Sequence, residues 1–155
     1  MDKQHHYSVN VTWTGNRGQG TTGYADYDRN HIISIKNKPD ILGSADAPFR
    51  GDITRHNPED MLVTSLATCH MLWYLHLCAD AGIIVTGYTD HAIGTMLQLP
   101  TGGGHFTEVT LHPLVTITDG SKTEQAIALH KKAHEKCFIA NSVNFPVKCE
   151  AECNS

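Results

Sequence analysis

The sequence has no Cys-x-x-Cys pair, no uninterrupted run of 18 apolar residues and no stripe rich in lysine and arginine, and each absence closes off a class of function. Its five cysteines are an odd number at spacings of 9, 59, 12 and 4, which suits neither a secreted disulfide framework nor a zinc finger. A reducing compartment is expected instead. The opening Met1 to Tyr7 holds no apolar stretch of signal-peptide length, so a soluble cytoplasmic protein with no membrane partner is expected. With a formal net charge of -4 and a pI near 6.2 there is little to displace counterions from a polyanion, and no nucleic-acid partner is expected. No HExxH, GxSxG or phosphate-loop pattern occurs, so the reading assigns no metal and no organic cofactor. Charged residues make up 18%, below the roughly 25% usual for soluble domains, which points to surface hidden in an oligomer.

What remains is a chain of 155 residues, read as one domain over 1–155 that buries roughly 70% of the surface its unfolded form exposes. Tyr7, Val9, Val11 and Trp13 alternate with polar residues and predict a strand, with Gly15, Gly18 and Gly20 supplying the turn. Two further short strands are expected over 24–28 and 31–36, then a loop of about twenty residues over 37–56 that contains Arg50 and Arg55. Asn57 as N-cap, Pro58 at the first helical position and Glu59-Asp60 in the first turn start a helix that Gly82 should end. Its apolar residues fall all round the circumference, so every side needs cover. Strands are predicted over 85–96 and 106–117, the second disturbed at His112-Pro113. A helix capped by Ser121 or Thr123 runs to about Ala140, and a last strand spans 143–152. The order β-β-β-α-β-β-α-β is an α+β domain with antiparallel sheet.

Two cysteines stand apart by placement. Cys69 lies near the middle of the apolar helix, and Cys137 near the end of the second, on a stripe with Ala126, Leu129 and Ala133. Each is either a small core residue or a redox thiol. A reactive thiolate in apolar surroundings needs a cation beside it, and Cys69 lies too far into its helix to use the N-terminal dipole. Arg50 and Arg55 are the nearest arginines in sequence, with Arg17 a third candidate. Cys137, at the negative pole of its helix, suits a thiol that resolves a sulfenic acid better than a first nucleophile. Cys78, Cys149 and Cys153 read as structural. Adjacent Cys69 and His70 diverge by 100° and cannot easily share a metal, and His130 with His134, stacked at i and i+4, reads as a solvated helix face ahead of a weak zinc site.

Asn57-Pro58-Glu59-Asp60, the later Ala67-Thr68-Cys69-His70-Met71, and the stretch Ala133 to Ser142 around Cys137 resemble the OsmC/Ohr family of osmotically inducible and organic-hydroperoxide-resistance proteins. Trp13 to Gly20, Phe49-Arg50-Gly51-Asp52 and the element order extend the likeness nearly end to end. The resemblance implies an intertwined homodimer and a thiol peroxidase in which Cys69 attacks an organic hydroperoxide and Cys137 closes a disulfide. Arg50 and Glu59 match the family's arginine and glutamate, and a lipoyl-type dithiol is the implied reductant. Cys137-Phe138-Ile139-Ala140-Asn141-Ser142 departs from the usual Cys-Pro-x-Ser. Leu62, Leu66, Leu72 and Trp73 are expected to wall an apolar substrate site. The reading from another class is a non-catalytic dimeric protein that binds a small apolar ligand while Cys69 merely packs.

Overall fold

A computed structural model describes residues 1–155, which divide by their internal contacts into two compact units, 1–61 and 62–155. In the first unit β1 (Asn10–Trp13), β2 (His31–Ser34) and β3 (Ile41–Gly43) form an antiparallel sheet in chain order, with Val11 opposite Ile33 and Ile32 opposite Leu42. The expected strand at 24–28 is absent. The Arg29 guanidinium takes the carbonyls of Tyr24 and Tyr27 and lies over both their rings, so these groups are spent on a side chain rather than a ladder. The long loop instead contributes β3 and a short 3-10 turn over Ala47–Phe49, whose first amide is capped by the Asp46 carboxylate at 2.8 Å.

Helix α1 (Pro58–Asp80) starts where the sequence says it should, with Asn57 Oδ1 accepting the Asp60 amide at 2.8 Å. It stops at Gly82, whose φ of 66° lets the Ile83 amide reach back to the Cys78 carbonyl at 2.9 Å. By length and composition α1 is long and apolar enough to cross a bilayer, and one line of it packs into the apolar clusters of the second unit. Only the line Leu66, His70, Tyr74, Cys78 is buried, and Leu72 stays 63% exposed. One chain therefore covers a single stripe of a helix that is apolar all round.

The second unit keeps the expected order but breaks its long strands. The stretch 85–96 becomes β4 (Val85–Asp90) and β5 (Ile93–Gln98), and 106–117 becomes β6 (Gly104–Leu111) and β7 (Pro113–Ile117). The corner is held by the Asp90 carboxylate accepting the His112 amide at 2.7 Å, just where Pro113 lacks a donor. β4 pairs antiparallel with β7 in one sheet and β5 antiparallel with β6 in another. The C-terminal stretch splits likewise into β8 (Val147–Cys149), which adds parallel to β6, and β9 (Glu152–Asn154), which adds parallel to β7. The sheets are thus mixed rather than wholly antiparallel, within the α+β class expected.

Helix α2 (Thr123–Lys136) follows a 3-10 turn capped by Asp119, so neither Ser121 nor Thr123 caps it as anticipated. It ends four residues early because Asn141 Nδ2 donates to the Glu135 and Cys137 carbonyls, closing the helix end. Tyr74 and Cys78 pack with Val115, Ile117, Ala126, Leu129 and Ala133 in one apolar cluster, and Leu66 packs with Val109 and Leu111 in a second.

Candidate active site

Cys69 sits one residue before His70 on α1, so it points about 100° away from the buried stripe and is half-buried. Cys137, in extended backbone just past α2, is 1% exposed. The structure places the two side chains beside one another, close enough for Cys69 to perturb Cys137, and both are free thiols. The Cys137 sulfur also accepts the Ala140 amide at 3.4 Å, from the short turn Ala140–Ser142. Burial pushes the Cys137 thiol up to about 11, opposed by the Ala140 amide and reinforced by the neighbouring Cys69 sulfur, with the Ile139 amide a smaller opposing influence. At neutral pH Cys137 keeps its proton and can present it to Cys69. The departure from Cys-Pro-x-Ser still supplies amides to the sulfur.

Beside this pair stands an aromatic wall. The Trp73 ring, one helical turn after Cys69, lies 5.7 Å from that of Phe138, and Lys136 Nζ stands 5.5 Å from the Trp73 centroid. Phe138 is 69% exposed, so it offers apolar surface next to Cys137. The sequence reading missed it, although its adjacency to Cys137 was a usable signal. Of the four expected wall residues, Leu66 is corrected: it has no exposed surface and is committed to the core with Val109 and Leu111. Leu62, Leu72 and Trp73 keep accessible surface.

In the first unit, Glu59 occupies the first turn of α1 and lines a cavity of about 530 Å³ with Trp13, Tyr27, Arg29, His31 and Phe49. Its Oε2 is buried without a hydrogen-bond partner. Arg50 is exposed, holds a left-handed φ of 63°, and has no ion pair in its own chain. Its loop is fixed from behind, because a Cβ on Gly51 would overlap the Ala45 carbonyl oxygen. Arg17 is engaged, donating to the Ala25 carbonyl and standing 3.6 Å from Asp28. Arg55 pairs with Asp52 at 3.7 Å. Arg29, which shares the Glu59 cavity, was not singled out by sequence, since nothing in its spacing marks it.

A second cluster lies away from the thiol pair. His70 Nε2 and His130 Nδ1 are 2.9 Å apart, and Cys149 Sγ is 3.7 Å from His70 Nε2. Burial lowers both imidazoles to about 4, each further lowered by a neighbouring histidine, and burial raises Cys149 to about 11, with the charges of Asp90 and Glu150 adding to it. The sequence showed no close Cys/His group because these residues are 60 and 79 positions apart.

A family model described as OsmC-like protein matches residues 51–152. A solved OsmC-like protein of unknown function from Vibrio cholerae O1 biovar eltor is 33% identical, with 96% of this chain and 100% of that one covered at a TM-score of 0.85. An organic hydroperoxide resistance protein from Elizabethkingia anophelis, 18% identical with 99% of each chain covered and a TM-score of 0.66, shares the fold. The uncharacterized protein YmaD of Bacillus subtilis (strain 168) is 26% identical over 151 residues, 96% of this chain and 93% of its own length. Glu59, Cys69 and Cys137 all fall inside the matched segment, and the chain belongs to the OsmC-like protein family.

Proposed function

We propose that the protein is a thiol-dependent peroxidase that reduces organic hydroperoxides to alcohols. The observation that carries this reading is the contact between Cys69 and Cys137, two free thiols of different exposure from different elements. The Cys69 thiolate attacks the distal peroxide oxygen, forming an S–O bond as the O–O bond breaks. The alkoxide leaves as alcohol after taking a proton, and Cys69 is left as sulfenic acid. The Cys137 thiol then condenses with it: an S–S bond forms and water departs. An external dithiol, lipoyl-type by family likeness, takes up the oxidising equivalents and restores both thiols.

The two compact units act in this reading as one domain over 1–155, working as a homodimer in the reducing cytoplasm. Support for the dimer comes from α1, whose Leu72 is exposed, and from the exposed faces of Val11, Ile93, Met96 and Leu97. Arg50 supplies the cation and Glu59 orients it, both matched by family motif. An apolar tail on the substrate is favoured by Trp73 and Phe138. The cavity around Glu59 favours the other reading, a binding protein for a small apolar ligand.

One equivalent of an organic hydroperoxide added to reduced protein separates the two. The peroxidase loses two thiols per chain and releases one equivalent of alcohol. Intact hydroperoxide and five remaining thiols per chain would establish the binding protein instead.

A further inference from the structure

We infer that His70, His130 and Cys149 form a binding site for a thiophilic divalent cation of the zinc type, separate from the Cys69–Cys137 pair. Three elements, α1, α2 and β8, each send one donor, and all three donor atoms lie within 4.8 Å of one another. His70 and His130 are 1% and 5% exposed, and Cys149 is half-buried.

The unusual feature is convergence. His70 Nε2 faces both His130 Nδ1, at 2.9 Å, and Cys149 Sγ, at 3.7 Å. A ring nitrogen has one in-plane direction, so it satisfies one of these partners with a single proton or lone pair. A cation between the three serves all of them. Zinc at ~2.0 Å from each nitrogen and ~2.3 Å from sulfur, at tetrahedral angles, sets N–N separations of about 3.4 Å and N–S separations of about 3.6 Å. The sulfur already stands at that distance from His70, and the imidazoles need to part by roughly 0.5 Å.

The surroundings suit a dication. Asp90 lies within Coulombic reach of Cys149, and its Oδ2 is buried with no hydrogen-bond partner. With the Cys149 thiolate it offsets both charges of the metal without being a ligand. Tyr74 stacks on His130 at 3.8 Å between ring centroids and donates its hydroxyl to the Ala126 carbonyl, which fixes the plane of that ring. On binding, Cys149 gives its proton to solvent. The proton shared between the imidazoles moves to a non-ligating nitrogen, and a water completes four-coordination.

The test uses the full chain with Cys69→Ser and Cys137→Ser, so that the redox pair contributes no thiolate. Zinc titrated against a chromophoric chelator is expected to bind at one equivalent per chain, with submicromolar affinity. Zinc X-ray absorption is expected to give one sulfur and two imidazole nitrogens. Cys149→Ala should weaken binding by roughly 100-fold or more. Absence of stoichiometric zinc binding, a shell without sulfur, or a shell with two or more sulfurs would each overturn the assignment. So would unchanged affinity in the Cys149→Ala chain. The absorption measurement needs no substitution at the three donors, so it decides the matter even where Cys149→Ala fails to fold.

Discussion

Cys137 lies between two neighbours: Cys69 is beside it on one side, and it accepts the Ala140 amide at 3.4 Å on the other. Burial raises the Cys137 thiol, and Cys137 is enclosed where Cys69 keeps accessible surface. Cys69→Ser is expected to abolish hydroperoxide consumption. Cys137→Ser should react once and stop at a sulfenic or overoxidised Cys69, seen by intact mass as a gain of one or more oxygens. Reaction in Cys69→Ser but not in Cys137→Ser would reverse the roles.

The raised Cys137 thiol also links to stability. Its folded-state value, about 11, lies above the ordinary 9, so the folded form retains a proton that the unfolded chain loses first. The contribution is fully present below pH 9 and is lost as pH rises from 9 to 11. It amounts to about 1.4 kcal/mol per pH unit of separation at most. Urea unfolding at pH 8 and pH 10.5 should show a larger loss for the parent than for Cys137→Ala. Equal losses would mean that the thiol titrates normally.

Arg50 is free of ion pairs in its own chain, whereas Arg17 is tied to Asp28 and Ala25. Arg50→Ala is expected to slow oxidation of Cys69 on the order of 100-fold, and Arg17→Ala to leave it within a few-fold. Stopped-flow measurement with an organic hydroperoxide reads both. The opposite ranking would move the cation to the N-terminal loop.

Gly51 backs the same loop against Ala45, where a methyl group would overlap the carbonyl oxygen. Gly51→Ala should therefore displace Arg50 and lower the oxidation rate, together with a fall of a few degrees in Tm. An unchanged Tm would show that the loop has room to yield.

Much of this was legible in the sequence, for local reasons. Asn57, Pro58 and Gly82 bound α1 because capping and left-handed backbone depend on a few neighbouring residues. Cys69 and Cys137 stood out by position and family likeness. Long-range bonds were not legible: Arg29 seizing the carbonyls of Tyr24 and Tyr27 removed a strand, and the Asp90 partner of His112 was hidden although His112-Pro113 marked the place of the break. The partnership of His70, His130 and Cys149 likewise depends on three elements meeting in space.

Glu59 and Cys69 lie ten residues apart on one unbroken helix, ~15 Å along its axis and about 80° apart in direction. Direct contact within one chain is excluded, so a glutamate that orients the arginine at Cys69 is expected to come from the partner. A heterodimer of Cys69→Ser and Glu59→Ala chains is expected to keep about half of the parent activity. One site then joins an intact Cys69 to an intact Glu59 from across the interface. Near-zero activity would place both groups of each site in one chain.

Peptide mapping after one equivalent of organic hydroperoxide shows whether Cys69 and Cys137 work as a redox pair. The expected result is the loss of two hydrogens per chain and a single linked pair of peptides carrying Cys69 and Cys137, reversed by a dithiol. Unchanged mass, or a bridge that leaves Cys69 or Cys137 free, would contradict it.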